Sequence, residues 1–79
     1  MLYAIHCLDH ANALSIRLEN YDAHREYLNA TQTSIVLAGP VTADDRSTPI
    51  GSVMIISVNS QEEAERFNQG DPFYRLNVW

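Results

Sequence analysis

The chain has 79 residues, enough for one domain over 1–79 and too few for two lobes with a cleft between them. Hydrophobic residues make up 46% and charged residues 19%, with three Gly and three Pro, which excludes a disordered or low-complexity chain. Ten Asp plus Glu against five Arg and no Lys give a net charge of -5, and without a clustered positive surface the sequence excludes nucleic acid and anionic membranes as partners.

Leu2 to Leu8 alternate Tyr3, Ile5 and Cys7 on one face with Leu2, Ala4, His6 and Leu8 on the other, which predicts a strand buried in part on both sides. Cys7 is the lone cysteine, so it reads as a small apolar strand residue and no internal disulfide can form. The first residues lack the basic start of a signal peptide and no run reaches membrane-spanning length, so a cytoplasmic location is expected. Asp9-His10-Ala11-Asn12 breaks the alternation, and a helical stretch then runs to about Ala30 with an interruption near Glu19-Asn20. Asn20 is expected to cap the second part through its side-chain oxygen, and Asp22 suits the helix dipole. Tyr21, His24 and Leu28 fall at i, i+3 and i+7 and share one face.

Thr33 to Ala38 is a β-branched run that predicts a second strand, stopped by a turn at Gly39-Pro40 and followed by an exposed polar loop over Val41 to Ile50. Gly51 to Val58 predicts a third strand. Ser60-Gln61-Glu62-Glu63 fits a capping box that opens the next helix, and Gly70 is expected to close it in left-handed geometry. Asp71-Pro72 then starts a short turn or helix, with Asp71 as its cap. The order β-α-β-β-α makes an α+β ferredoxin-like sandwich with both helices on one side of the sheet. Its final strand is missing or incomplete, since Asn77-Val78-Trp79 is at most a beginning, and the first strand is expected to present an unpaired edge.

A chain of 8.9 kDa scales to roughly 4,800 Å² of folded surface against about 12,900 Å² unfolded. Apolar burial at ~25 cal/mol per Å² and ordering at ~1.5 kcal/mol per residue each come to about 120 kcal/mol, so the balance is near zero. A second copy of the chain is therefore the expected partner, as a homodimer or higher homo-oligomer.

His24 is the leading candidate for chemistry, because its helical face sets an imidazole against the sheet and imidazoles exchange protons near neutrality. The alternative is a packed histidine with one backbone hydrogen bond. Asp71 can orient such a ring as the carboxylate of a dyad does, and its capping role is compatible because a carboxylate has a second oxygen to offer. Arg17 suits a bidentate grip on a substrate carboxylate, or else is a solvated helix residue. Ser52 has no base beside it in sequence and reads as pocket lining, together with Gly39 and Pro40. His6, His10 and Asp9 match no metal-ligand spacing, so no metal is expected, and Tyr3, Tyr74 and Trp79 read as core or interface aromatics.

The segment Gly51-Ser52-Val53-Met54-Ile55-Ile56-Ser57-Val58, with Ser60-Gln61-Glu62-Glu63-Ala64 and Asp71-Pro72-Phe73 after it, resembles the signature of the YciI-like (YCII-related) domain. Tyr3, Ile5, Arg17, His24 with Leu28, and Leu37-Ala38-Gly39-Pro40 fall in the same order, so the resemblance spans essentially the whole chain. It implies a dimeric α/β barrel of two sheets packed face to face, and an active-site His-Asp pair carried here onto His24 and Asp71. Relatives of assigned role act on small ring compounds, including removal of chloride from a chlorinated hydroxyquinol. Family members continue for another strand after the Asp-Pro-Phe segment, whereas this chain stops at Trp79, and Asn29 to Ser34 lacks the glycine often found there. The expectation is an isomerase- or lyase-like protein that moves protons on a small cyclic or carboxylated metabolite, needing no metal or organic cofactor. The alternative is a non-catalytic module for small-ligand binding or homo-oligomeric assembly.

Overall fold

The computed structural model describes residues 1–79. Three alternating apolar segments form one antiparallel sheet from β1 (Leu2–Leu8), β2 (Ser34–Thr42) and β3 (Pro49–Ser57), in the order β1-β3-β2. The helices are α1 (Leu14–Glu19), α2 (Tyr21–Ala30), α3 (Gln61–Gly70) and α4 (Pro72–Arg75). The architecture is the expected ferredoxin-like α+β arrangement with three strands. No helix is long and apolar enough to cross a membrane.

Register decides which side chains share a side, since residues directly opposed in a ladder point the same way. Tyr3 and Ile35 oppose Ile56, Ile5 and Ala38 oppose Met54, and Cys7 and Pro40 oppose Ser52. On that side Met54 and Ile56 pack with Ala64 and Phe67 of α3, and with Tyr27 and Leu28 of α2. A second apolar cluster joins Ala13, Phe73 and Val78, with Trp79 against it. The opposite side carries Leu2, Ala4, Leu8, Leu37, Val53 and Ile55, of which Leu2, Leu8 and Leu37 are 63%, 62% and 52% exposed. This open face adds to a surface that, at 5253 Å², exceeds the roughly 4,800 Å² expected for the chain's mass.

Several local expectations need correction. Gly39 and Pro40 do not form a turn; β2 runs through them, pairing with Val53 and Ser52, and the loop narrows to residues 43–48. Proline is tolerated there because β2 is an edge strand, where half of the N–H groups have no partner in the ladder. In the loop Asp45 accepts hydrogen bonds from the backbone of Ser47 and Thr48 and from the Thr48 hydroxyl, which hold its carboxyl down at about 2.

Asn20 separates α1 from α2 but caps the former, its Nδ2 donating to Ile16 O at 2.9 Å, and no side chain caps α2. The same carbonyl also accepts from the Asn20 backbone N–H at 3.1 Å, so Asn20 closes the last turn of α1 twice over. Ser60 accepts from Glu63 N–H as expected, while the Glu63 carboxylate accepts from Asn59 N–H, one residue before the expected partner. No glycine has a positive φ, so Gly70 is not a left-handed cap. A Cβ at Gly70 would lie 2.6 Å from the Tyr27 hydroxyl, which donates to Phe67 O at 2.7 Å; close approach of that side chain, not backbone freedom, favours glycine. Asn77-Val78-Trp79 does not begin a strand either. Asn77 takes φ 58, and the chain turns back so that Val78 N–H donates to Phe73 O and Val78 O accepts from His10 N–H.

Two glycines of adjacent strands provide a test of the sheet. A Cβ on Gly51 would clash with the Cys7 carbonyl oxygen, whereas one on Gly39 meets nothing within 4 Å. Gly51→Ala is expected to lower stability by about 1–3 kcal/mol in urea denaturation through overpacking, and Gly39→Ala to stay within about 0.5 kcal/mol of the parent.

Candidate active site

The four polar or charged residues of the buried set are Arg17, His24, Ser52 and Asp71, and they sit together. Buried polar groups need partners, and here they supply them to one another. Asp71 leaves α3 in extended geometry, its side chain caps α4 by accepting from Phe73 N–H at 2.9 Å, and Pro72 takes the first helical position. The same carboxylate faces α2, where His24 Nδ1 lies 2.7 Å from Oδ2 and 2.9 Å from Oδ1. Both expected roles of Asp71 are thus compatible in one geometry, across 47 positions of chain.

A carboxylate can only accept from a neutral ring, so the proton belongs on Nδ1 and the free lone pair on Nε2. Nε2 has no partner within the chain and is not sequestered, since the only buried side-chain nitrogen or oxygen lacking a partner is Trp79 Nε1. The ring is held on its other surfaces by aromatics. Phe73 stacks on it at 4.3 Å between centroids and 8° between planes, and Trp79 meets it edge-on at 5.9 Å.

Arg17 lines the pocket, as expected of it alongside Ser52, Gly39 and Pro40, but its guanidinium is engaged within the chain. The residue is buried, so it is not a solvated helix residue, and the Nε–Nη2 edge of its fork is already occupied, donating to Asp9 at 2.7 and 2.8 Å. Nη2 also donates to Ser52 Oγ at 2.9 Å, and the guanidinium carbon lies 4.7 Å from the Phe73 ring centroid. Arg17 therefore braces the site, and a substrate carboxylate can take its Nε–Nη2 edge only by displacing Asp9. Cys7, opposite Ser52 in the sheet, has its thiol pushed up from the ordinary 9.0 by burial, against an opposing hydrogen bond to Asn68.

Arg17, His24, Gly39, Pro40 and Ser52 all border one pocket of about 180 Å³, and Asp71 lies behind the His24 ring. Clefts that take drug-sized ligands run to ~300–1,000 Å³, so this one has the scale of a single-ring compound. His6 is exposed on the open sheet face and His10 is exposed beyond β1, away from this pocket. Sequence reasoning missed Asp9 as the partner of Arg17, Phe73 as the platform under His24, and Arg25 at the pocket. Only Phe73 had a signal, as the third residue of the Asp-Pro-Phe segment.

A family model described as the YCII-related domain matches residues 1–79. Protein YciI of Escherichia coli O6:H1 and that of Shigella flexneri are each 33% identical over 86 aligned residues, covering 100% of this chain and 88% of the relative. Among solved structures, the 5-chloro-2-hydroxyhydroquinone dehydrochlorinase (TftG) of Burkholderia phenoliruptrix AC1100, in complex with 2,5-dihydroxybenzoquinone, superposes with a TM-score of 0.86. It is 32% identical, over 99% of this chain and 84% of that one.

The Asp9–Arg17 pair allows a test that is independent of any reaction. Removing one member of a buried pair strands the other charge, so Asp9→Ala is expected to lower stability by about 3–5 kcal/mol in urea denaturation. A loss below about 1 kcal/mol, the range of exposed pairs, would mean that Arg17 finds water or another acceptor.

Proposed function

The chain belongs to the YCII-related domain family, and from that premise we propose that it is a small cytoplasmic enzyme that moves protons on a single-ring metabolite in an isomerase- or lyase-like reaction. The observation that carries this reading is His24 Nδ1 at 2.7 Å from the buried Asp71 carboxylate, with Nε2 free on a pocket of ring size. In the proposed mechanism Nε2 takes a proton from the substrate as general base. Asp71 holds the tautomer that keeps Nε2 unprotonated and stabilises the imidazolium formed, without itself taking the proton. The electron pair left by the proton then moves into the ring. In an isomerisation His24 returns the proton to another carbon; in an elimination the leaving group departs with its bonding pair while the proton stays on His24. The similarity to a dehydrochlorinase favours elimination of chloride as the first reaction to assay.

Chloride release from 5-chloro-2-hydroxyhydroquinone tests this directly. His24→Ala is expected to cut the rate by about 10²–10⁴-fold, the usual worth of a positioned base, with the circular dichroism spectrum unchanged. Asp71→Asn keeps the cap on Phe73 N–H and is expected to lose rate through the wrong tautomer. Undiminished turnover in the well-folded His24 variant would remove the proposal.

We further propose that the open sheet face is covered by a second copy, as the resemblance implies. The support is its apolar content: Leu2, Leu8 and Leu37 are more than half exposed on a chain whose own balance is marginal. Leu37→Asp places a charge on that face, on its β2 edge, and is expected to convert a dimer to a monomer in sedimentation analysis. A monomeric parent chain would rule the interface out.

A further inference from the structure

The pocket beside His24 has a composition at odds with the rest of the molecule. The chain carries ten carboxylates against five arginines, yet no Asp or Glu borders this cavity, while two arginines do. The carboxylates behind its walls are both engaged, Asp9 by Arg17 and Asp71 by His24. Arg17 is neutralised by its pair with Asp9, so the one guanidinium at the cavity without a carboxylate partner is Arg25. It makes no ion pair, although Asp22 and Glu26 share its helix, and no side-chain hydrogen bond within the chain takes its N–H groups. Its guanidinium lies 5.8 Å from the Tyr21 ring centroid, a cation–π contact that keeps it alongside another pocket residue.

Helical spacing explains the placement. Tyr21, Arg25 and Asn29 lie four residues apart along the pocket side of α2, and His24 and Leu28 form the adjacent row. An exposed planar donor fork thus stands one residue from the proposed base, on the same rigid helix. We propose that Arg25 is the anion anchor of this pocket: it binds an anionic oxygen group of the substrate, a ring carboxylate being the simplest form, and so orients the ring against His24 Nε2. This assignment rests on the proposed reading of the pocket as a substrate site, and it moves to Arg25 the role that the sequence suggested for Arg17. A guanidinium reads a planar pair of oxygens bidentately, which fixes orientation as well as adding affinity. Neutral isosteres forgo that contact and leave the fork to water.

Benzoate and benzamide, matched in shape and differing in charge, serve as probes, followed by amide chemical shifts in the full chain. The parent is expected to bind benzoate at least tenfold more tightly than benzamide. Arg25→Gln is expected to weaken benzoate about tenfold or more and leave benzamide unchanged, whereas Arg25→Lys keeps the charge and most of the preference. His24→Gln is expected to retain benzoate binding within about threefold, which separates anion anchoring from proton transfer. Equal affinity for the two probes in the parent, or benzoate binding unaltered by Arg25→Gln, would overturn the assignment while leaving the His24 rate test standing. Conversely, a preference abolished by Arg25→Gln together with undiminished turnover in His24→Ala would keep the anchor and discard the base.

Discussion

A carboxylate with no solvent exposure at the junction of α3 and α4 is the constraint around which the rest of the chain is arranged. Asp71 is fully buried, and a charge taken out of water is tolerated only when paired and hydrogen-bonded. It meets that demand with Phe73 N–H at the start of α4 and with His24 from α2. One residue therefore ends one helix through its backbone N–H, and through its side chain starts the next and fixes a third against them. The Phe73 whose backbone caps onto Asp71 also stacks its ring on His24, so the geometry that satisfies the charge also immobilises the imidazole. Stability and site share the same carboxylate, so a change at Asp71 that frees the ring also disturbs a helix start.

The Asp9–Arg17–Ser52 cluster supports the same aromatic. Arg17 places its guanidinium near the Phe73 ring and its donors on Asp9, just after β1, and on Ser52 in β3. Two ion pairs thus border one phenylalanine, and the pocket wall is set by side chains whose rotamers are locked by their own hydrogen bonds. Buried pairs of this kind add little net stability compared with apolar packing, but they hold groups to a narrow geometry. That suits a wall that must present Nε2 and Ser52 at defined positions more than it suits a core.

What the sequence showed and what it hid follow from range. Leu2–Leu8 was legible to the residue because strict alternation reports a half-buried strand, and Ser60 with Glu63 because a capping box acts across one helical turn. Asp71-Pro72 was legible for the same reason. Gly39-Pro40 misled because the pair is read as a turn by default, while an edge strand removes the penalty that makes proline a breaker. Gly70 misled because its need comes from Tyr27, on another helix. Arg17 is the clearest case at the site: nothing local distinguishes an arginine that grips a substrate from one that grips Asp9. That His24 and Asp71 meet was carried by resemblance, since no periodicity reaches across 47 positions.

An acidic chain with an anion-seeking pocket is not a contradiction, because the two statements concern different distances. At physiological ionic strength charges separated by more than ~8 Å are largely screened when exposed. The molecule extends 35 × 22 × 19 Å, so most of the carboxylates behind its net charge of -5 act weakly on a ligand inside the cavity. Within the cavity the nearest acids are already paired with Arg17 and His24, and the low polarity of the surrounding walls strengthens whatever charge is left uncompensated. The global charge then keeps like molecules apart and the local field selects among small ones. A single unpaired guanidinium can govern recognition because the two buried carboxylates beside the pocket already have partners.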